Sequence, residues 1–248
     1  DSGIFPCIRA GATFKLGDRL AGASSQNRKP EGEVGFTGDI AVAGGKLYTA
    51  GPSSWGFKGP SWATYHAETG AFAGMQKIGK FDGHGELVSG KDGRLYIQDM
   101  GVNSHIHRFA ADGKPVNFEA LGGSALTNVF HGHSRQTGLF VARTGEIYVP
   151  AGQGNREIET VRNRRFGQDG RLIEAPNLEI RGARTAGLAV DTRDGSVYLG
   201  AQTVPEKQLL PDWVAGRLPP GSTTKNAERA YRQCGSLFKF GPGGGAIV

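Results

Sequence analysis

Short apolar runs alternate with glycine-containing turns along most of the chain. Around Tyr96, a run that begins at Gly85 is followed by a turn at Gly93 and a second apolar run over Leu95–Gln98. A third run, Ile106–Phe109, ends at an Asp-Gly pair. Runs of this length, rich in β-branched and aromatic residues and bounded by glycine, are typical of antiparallel strands joined by tight turns. The pattern therefore predicts hairpins rather than helices.

The same pattern occurs four times. Each unit opens with a glycine and an apolar run, turns at a second glycine and continues as a strand centred on a tyrosine. The four tyrosines stand 48, 52 and 50 residues apart, at Tyr48, Tyr96, Tyr148 and Tyr198. A regular period of this size is the mark of a repeat architecture, in which each unit buries its apolar faces against its neighbours.

Each repeat also contains a third predicted strand that ends in a tight turn. These strands are Ala63–Tyr65, Ile106–Phe109, Arg164–Phe166 and Leu237–Phe240. The residues after the turn, such as Val116–Glu119, are expected to add a weaker fourth strand. Four antiparallel strands per repeat predict an all-β chain made of β-propeller blades. A β-sandwich or an open meander is the alternative, but neither requires so regular a repeat.

Composition agrees with this interpretation. The chain has 248 residues, of which 41 are glycine, with 38% hydrophobic and 9% aromatic residues. The glycines follow no collagen period, and the apolar content is sufficient for a core. No apolar stretch approaches the roughly 18 residues of a transmembrane helix. The basic residues behind the net charge of +6 are scattered, so we expect no nucleic-acid binding.

The repeats resemble those of the NHL and gluconolactonase-like six-bladed propeller families. The blades of these families carry a similar apolar run that begins at a glycine, a D-G-x-h-Y-h strand and an R-h-x-x-F-x-x-x-G segment, where h is an apolar residue. The segment of this chain most similar to these motifs is Asn103–Gly113. The resemblance extends from about residue 37 to the end of the chain, with longer loops than the usual period of about 40 residues. It implies a propeller fold, whereas these structural motifs occur in proteins with many unrelated activities.

The predicted organisation is one propeller domain over residues 1–248. It comprises a partial leading blade over 1–36 and blades over 37–83, 84–136, 137–185 and 186–248, the last with an insertion at 204–233. Four blades and a partial one are fewer than six or seven. We therefore expect another segment or chain to complete the ring, or alternatively a five-bladed closure through the N-terminal strands. In that closure Cys7 and Cys234 approach and form a disulfide, or remain buried thiols.

Polar side chains flank the strands at the expected channel face of each blade. Thr37 and Thr137 precede two of the blade-opening glycines, and Arg184 precedes the fourth blade. Further candidates follow the second strands, namely Gln98, Asp99, Asn103 and Gln153. Such groups suit a sugar-like or carboxylate ligand, to which the arginine supplies charge.

Three histidines stand on two glycine-rich loops that lead into consecutive blades: His84, His131 and His133. Three imidazoles with an open fourth position suit a divalent ion, zinc or calcium, that polarises a substrate or activates water. The arrangement resembles that of metal-dependent propeller lyases. Hydrogen bonding of these histidines to loop carbonyls is the alternative. His66, His105 and His107, on predicted third strands, are expected to be structural.

The function expected from the sequence is binding. No nucleophile elbow, phosphate loop or paired His-Glu metal motif is present. Aromatic residues in the loops, including Trp55 and Trp213, favour contact with a protein or carbohydrate, and packing over a blade edge is the alternative. We expect a secreted or periplasmic binding or scaffold module within a larger protein or complex. A metal-dependent lyase or hydrolase is the alternative.

Overall fold

A computed structural model describes residues 7–11, 13–18, 40–51, 61–78, 86–99, 105–127, 129, 138–153, 160–173, 183–203, 235–241 and 246–247. All regular elements in these ranges are β-strands. The chain divides into two compact units, which are described separately. The first comprises residues 1–128, 143–145 and 168–170, and the second comprises the remainder.

The first unit contains a hairpin and two four-stranded antiparallel sheets. The hairpin pairs β1 (Cys7–Ala10) with β2 (Thr13–Leu16). Sheet I has the order β3 (Ile40–Ala43), β4 (Lys46–Gly51), β5 (Ser61–His66) and β6 (Phe72–Lys77). Sheet II has the order β7 (Leu87–Ser89), β8 (Leu95–Gln98), β9 (Ile106–Phe109) and β10 (Ala125–Leu126).

The second unit contains the strands of two further four-stranded antiparallel sheets. Sheet III has the order β11 (Phe140–Val141), β12 (Ile147–Gln153), β13 (Thr160–Phe166) and β14 (Leu172–Ile173). Sheet IV has the order β15 (Ala183–Val190), β16 (Val197–Thr203), β17 (Gly235–Phe240) and β18 (Ala246–Ile247). The prediction of an all-β chain of four-stranded propeller blades is confirmed. The predicted domain boundaries stay predictions.

The four repeat tyrosines occupy one position in this architecture. Each lies on the second strand of its sheet, opposite one residue of the first strand and one of the third. The third-strand partners are Thr64 for Tyr48, Arg108 for Tyr96, Arg165 for Tyr148 and Lys239 for Tyr198. Residues directly opposite each other share a face of an antiparallel sheet. The spacing in the sequence therefore corresponds to one recurring structural position.

Each sheet has two faces, which we name for this position. The tyrosine face carries the repeat tyrosine, and the opposite face carries the residues next to it in the strand. In the first unit, Tyr48 and Trp62 on the tyrosine face of sheet I pack with Leu95, Ile97 and Phe109 on the opposite face of sheet II. The Trp62 and Phe109 rings meet edge to face, with centroids 5.4 Å apart. Apolar burial between unlike faces thus joins two repeats.

The second unit repeats this arrangement. Phe140 and Tyr148 on the tyrosine face of sheet III pack with Val197, Leu199 and Phe240 on the opposite face of sheet IV. A basic side chain, that of Arg165, also lies beside Tyr148 on this face. The Arg165 guanidinium lies 5.6 Å from the Tyr148 ring centroid and forms a 2.6 Å ion pair with Glu146. Both units are therefore held by the same type of contact between sheets.

The predicted fourth strand of the second repeat is wrong. Val116–Glu119 lies in an irregular segment, and the edge strand β10 follows at Ala125–Leu126. The reason is Arg108, which is fully buried. Its Nε donates to the Val116 carbonyl (3.3 Å), its Nη2 donates to the Asn117 carbonyl, and its guanidinium stacks 3.9 Å above the Phe118 ring. The segment after the turn therefore folds over an arginine instead of extending the sheet.

The sheets are also joined at their outer turns, where the third strand ends. The Tyr48 hydroxyl donates to the Ala111 carbonyl at 2.7 Å. Arg108 Nη1 donates to the Gln168 carbonyl, also at 2.7 Å, and the turn that contains Gln168 belongs to the first unit. Ala111 and Gln168 each directly precede an Asp-Gly pair. In both contacts a side chain on the tyrosine face thus donates to the carbonyl at the equivalent position of an outer turn.

Burial changes the pKa values of the tyrosine side chains. It raises the pKa of Tyr48 and Tyr96, with a smaller contribution from Asp112 and Asp92 respectively. Burial, followed by the charge of Glu146 and its hydrogen bond (3.1 Å), raises the pKa of Tyr148 to about 12. These phenols therefore stay neutral in the folded chain at pH values where exposed phenols ionise.

Glycine sets the turn between the first and second strands. The residue three positions before each tyrosine has a positive φ, namely Gly45 (72°), Gly93 (75°), Gly145 (87°) and Gly195 (74°). Side chains with a Cβ rarely adopt this left-handed conformation, at a cost of roughly 1–2 kcal/mol. Every first hairpin therefore depends on a glycine here.

Replacing Gly93 with alanine tests this requirement. A Cβ at Gly93 meets nothing within 4 Å, so the cost comes from φ alone. We expect the Gly93→Ala variant to lose about 1 kcal/mol of stability and about 2–4 °C in Tm, measured by thermal unfolding. Gly123→Ala is the control, because Gly123 does not have a positive φ and a Cβ there also meets nothing within 4 Å. Equal Tm changes in the two variants would refute the explanation.

The shifted pKa of Tyr148 predicts a pH dependence of stability. A group whose folded pKa is raised contributes fully below its unfolded value of about 10 and loses this contribution as pH rises towards 12. Between pH 9 and 11 we expect the wild type to lose about 1 kcal/mol more unfolding free energy than Tyr148→Phe. Urea denaturation at each pH measures the difference, and parallel pH profiles would contradict the prediction.

Candidate functional site

The candidate site is the end of the second strand of sheet II. Gln98 is the last residue of β8 and Asp99 follows it, and the two residues are 2% and 5% exposed. The Asp99 backbone N–H donates to the His105 carbonyl (2.7 Å), and the Gln98 N–H donates to the Glu86 carbonyl (2.9 Å). These bonds fix the backbone of both residues between the first and third strands.

Two histidines of the third strand stand beside the Asp99 carboxylate. His107 lies opposite Ile97 in the sheet, and its Nε2 is 3.9 Å from Asp99 Oδ2. The His105 and His107 rings have centroids 6.0 Å apart, and His107 stacks on Phe109 at 6.4 Å. The opposite face of sheet II, which packs on sheet I through apolar residues, thus also carries a polar cluster at this strand end. The cluster consists of the Asp99 carboxylate and the imidazoles of His105 and His107.

The chemistry of this cluster is that of a polar ligand site. A carboxylate accepts hydrogen bonds through both oxygens, and each imidazole nitrogen donates or accepts according to the tautomer. Placed in a mostly apolar wall, a few such groups fix the orientation of a ligand. The cluster accounts for one predicted residue, Asp99, whereas the predicted residue Gln98 lies at the same strand end on the other face of the sheet.

The sequence did not connect His105 and His107 with Asp99. Both histidines were expected to be structural, because the third strand of a blade lies away from the channel axis. The missing information was the register of the hairpin, in which Tyr96 lies opposite Arg108 and Ile97 opposite His107. Counting outward from the tyrosine would have placed His105 opposite Asp99.

The other predicted site residues are distributed as follows. Gln153 is the last residue of β12, in agreement with its predicted place at the end of a second strand. Arg184 was expected before the fourth blade, but it lies within β15 and pairs with Gln202. The first strand of sheet IV begins earlier than the glycine motif indicated, because its pairing with β16 extends through a bulge between Thr185 and Gly187.

Several predictions fall outside the described residues. These concern Thr37, His84, Asn103, His131, His133 and Thr137, so the metal site and part of the ligand face remain predictions. Within the ranges that are described, no group of three His, Cys, Asp or Glu side chains has a metal-binding arrangement. Cys7 is exposed at the start of β1, while Cys234 is outside these ranges, so the disulfide also remains a prediction.

Comparisons with known proteins support the fold. No family model matches the chain, and no curated protein matches it. Hydrazine synthase from Kuenenia stuttgartiensis superposes with a TM-score of 0.53 and 15% identity, over 84% of this chain and 52% of that chain. A gluconolactonase from Xanthomonas campestris superposes with a TM-score of 0.48 and 16% identity, over 80% and 62% of the respective chains.

An extracellular domain of a putative hybrid two-component system from B. thetaiotaomicron is also similar, with a TM-score of 0.40 and 14% identity. That match covers 71% of this chain and 21% of the other. The chain thus spans 52% and 62% of the lengths of the first two proteins. In the described part of the chain, no helix has the length and apolarity to cross a membrane. At these identities the similarity establishes a β-propeller module and leaves its activity open.

Proposed function

We propose that the chain is an extracytoplasmic β-propeller module, secreted or periplasmic, that binds a polyhydroxylated or carboxylate ligand at the ends of its second strands. The observation that carries the proposal is the buried Asp99 carboxylate at the end of β8, beside His107. A buried carboxylate is costly unless hydrogen-bond donors surround it. Ligand hydroxyl groups are suitable further donors.

The ligand class follows from the residue types. The Asp99 carboxylate accepts hydrogen bonds from hydroxyl groups, and His105 and His107 on the same face donate or accept according to tautomer. Arg184, on β15 of the second unit, is by itself a further candidate for contact with a ligand carboxylate. A polyol that carries one carboxylate presents both chemical groups of the proposed ligand class. Protein or carbohydrate partners that display such groups belong to the same class.

D-Gluconate is a suitable probe, with sorbitol as the matched polyol without a carboxylate. We expect isothermal titration calorimetry to detect gluconate binding that weakens about tenfold or more in Asp99→Asn, because a charge-assisted hydrogen bond contributes about 1.5–3 kcal/mol.

Asp112→Asn is the control, because Asp112 is exposed in an outer turn and pairs with Lys114. Its gluconate affinity should equal that of the wild type. Absence of gluconate binding by the wild type, or an unchanged affinity in Asp99→Asn, would exclude this ligand site.

We propose the metal-dependent lyase or hydrolase as a second candidate, supported by the sequence of the loops. His84, His131 and His133 are flanked by glycines that allow their side chains to converge. Three neutral imidazoles would hold a divalent ion and leave one position for water or substrate. A zinc or calcium ion bound there would polarise a substrate carbonyl or lower the pKa of bound water.

Metal analysis tests this second candidate. After dialysis against zinc or calcium and removal of excess ion, we expect elemental analysis to find about one ion per chain in the wild type. His84→Ala should lose most of it, whereas His66→Ala, which changes an exposed histidine at the end of β5, should keep it. A wild type without a stoichiometric ion would exclude the metal-dependent activity.

A further inference from the structure

The tyrosine face of sheet IV is uncovered where its counterpart in sheet I is buried. Leu237 lies on this face beside the Tyr198–Lys239 pair and is 73% exposed. The residue at the corresponding position of sheet I is Trp62, which is fully buried. Ala189, opposite Tyr198 on the first strand, is also exposed. A large apolar side chain thus lies exposed on a face that is part of the core in another repeat.

The hairpin of β1 and β2 is exposed on both of its faces. Ile8 on one face is 54% exposed, and Leu16 on the other is 74% exposed. Cys7 and Arg9 share the face of Leu16 and are exposed as well. We name this surface the Leu16 face. A two-stranded hairpin is marginally stable at best in water by itself, so the hairpin needs a partner that its own strands do not supply.

The register of this hairpin is that of the first two strands of sheet I. The pair Ala10–Thr13 closes a two-residue turn, as the pair Ala43–Lys46 does in sheet I. Counting outward from these pairs, Lys15 occupies the tyrosine position and Leu16 the position that follows it. Residues that follow the tyrosine stand on the opposite face of a sheet. The Leu16 face therefore corresponds to the opposite face of a complete sheet.

The repeats show what covers a tyrosine face. In each unit the covering surface is the opposite face of the next sheet, sheet II over sheet I and sheet IV over sheet III. The position of Leu16 is occupied in these covering faces by Ile97 and Leu199, both 0% exposed. Ile97 belongs to the same apolar cluster as Trp62. Leu16 and Leu237 are thus the exposed counterparts of two residues that are buried together between sheets I and II.

We propose that the Leu16 face of the hairpin in one copy of the chain docks on the tyrosine face of sheet IV in a second copy. The contact continues the interface that joins sheets I and II and sheets III and IV, with Leu16 packed on Leu237. Both residues are exposed in the single chain, so docking displaces no buried side chain. A second copy is the partner because each chain offers one exposed example of each surface.

Charged groups at the turn ends of the two surfaces give the alignment. Arg9 is exposed, and its Nε donates to a carbonyl of the hairpin turn at 3.1 Å. Asp191 pairs with Ser196 through its backbone N–H at the turn end of sheet IV, which places it on the tyrosine face. Asp191 forms an ion pair with Arg193 (2.6 Å), and Asp194 adds an exposed carboxylate to the same turn. The turn carries one negative charge in excess, which attracts Arg9 of the docked hairpin.

The contact joins two different surfaces. Each copy presents its hairpin to one neighbour and its sheet IV face to another, so association is head to tail. A variant with one damaged surface cannot pair with itself. Two variants with different damaged surfaces still share one intact pair of surfaces.

Mixing single-surface variants of the full chain tests the proposal. Leu16→Lys and Leu237→Lys each place an ammonium group in the contact, where burial without a counter-ion is strongly unfavourable. We expect wild-type mass by analytical ultracentrifugation to rise above 26.2 kDa with concentration. Each variant alone should stay at 26.2 kDa, and an equimolar mixture should form a dimer that grows no further.

Ile8→Lys is the matched control for the hairpin, because Ile8 is exposed on its other face. Leu172→Lys is the control for the sheets, since Leu172 is 61% exposed on the edge strand of sheet III. Both should associate like the wild type, and circular dichroism checks that every variant is folded. A wild type that stays monomeric, a mixture of folded variants that does so, or an Ile8→Lys variant that fails to associate would overturn the proposal.

Charge reversal tests the alignment of the two copies. Arg9→Glu should weaken association about twofold to fivefold. Lys15→Glu is its control, because Lys15 is exposed on the other face of the hairpin, and it should leave association unchanged. Equal effects of the two reversals would refute this alignment. The docking surfaces exclude Asp99 and His107, so gluconate binding and self-association can each fail without affecting the other.

Discussion

Contact between unlike faces of successive sheets is the interaction on which the structure depends. A single four-stranded sheet exposes two surfaces and can bury neither by itself. Here the tyrosine face of one sheet meets the opposite face of another in each unit, through Trp62 and Phe109 in the first and Tyr148 and Phe240 in the second. The hairpins and turns position these faces, and the candidate site lies at the edge of one such contact.

Polar groups complement this apolar packing. Tyrosine and arginine side chains on the tyrosine faces donate hydrogen bonds to the outer turns, and the buried tyrosines resist ionisation because of their surroundings. Buried polar groups of this kind specify how two surfaces are aligned more than how strongly they adhere. The contact between sheets therefore contains an apolar element that stabilises it and a polar element that fixes its register.

The sequence predicted the repeated parts of this fold well. Tyrosine spacing and paired glycines identified the first three strands of every sheet, because those features follow from short-range backbone geometry. The fourth strand of sheet II was wrong, since its position depends on the burial of Arg108, a contact invisible in a linear pattern. Likewise Gln98 and Asp99 were predicted from their place in the chain. The proximity of Asp99 to His107 could be derived only from the register between two strands.

Arg108 has a further consequence for how such a protein tolerates sequence change. Its guanidinium is bound through main-chain oxygens at 116, 117 and 168, which every amino acid supplies. The contact therefore places little demand on the identity of the side chains at those positions. Substitutions can accumulate along the outer loops while the anchoring of the loop persists. An architecture recognisable at 15% identity to a solved structure is compatible with anchoring of this kind.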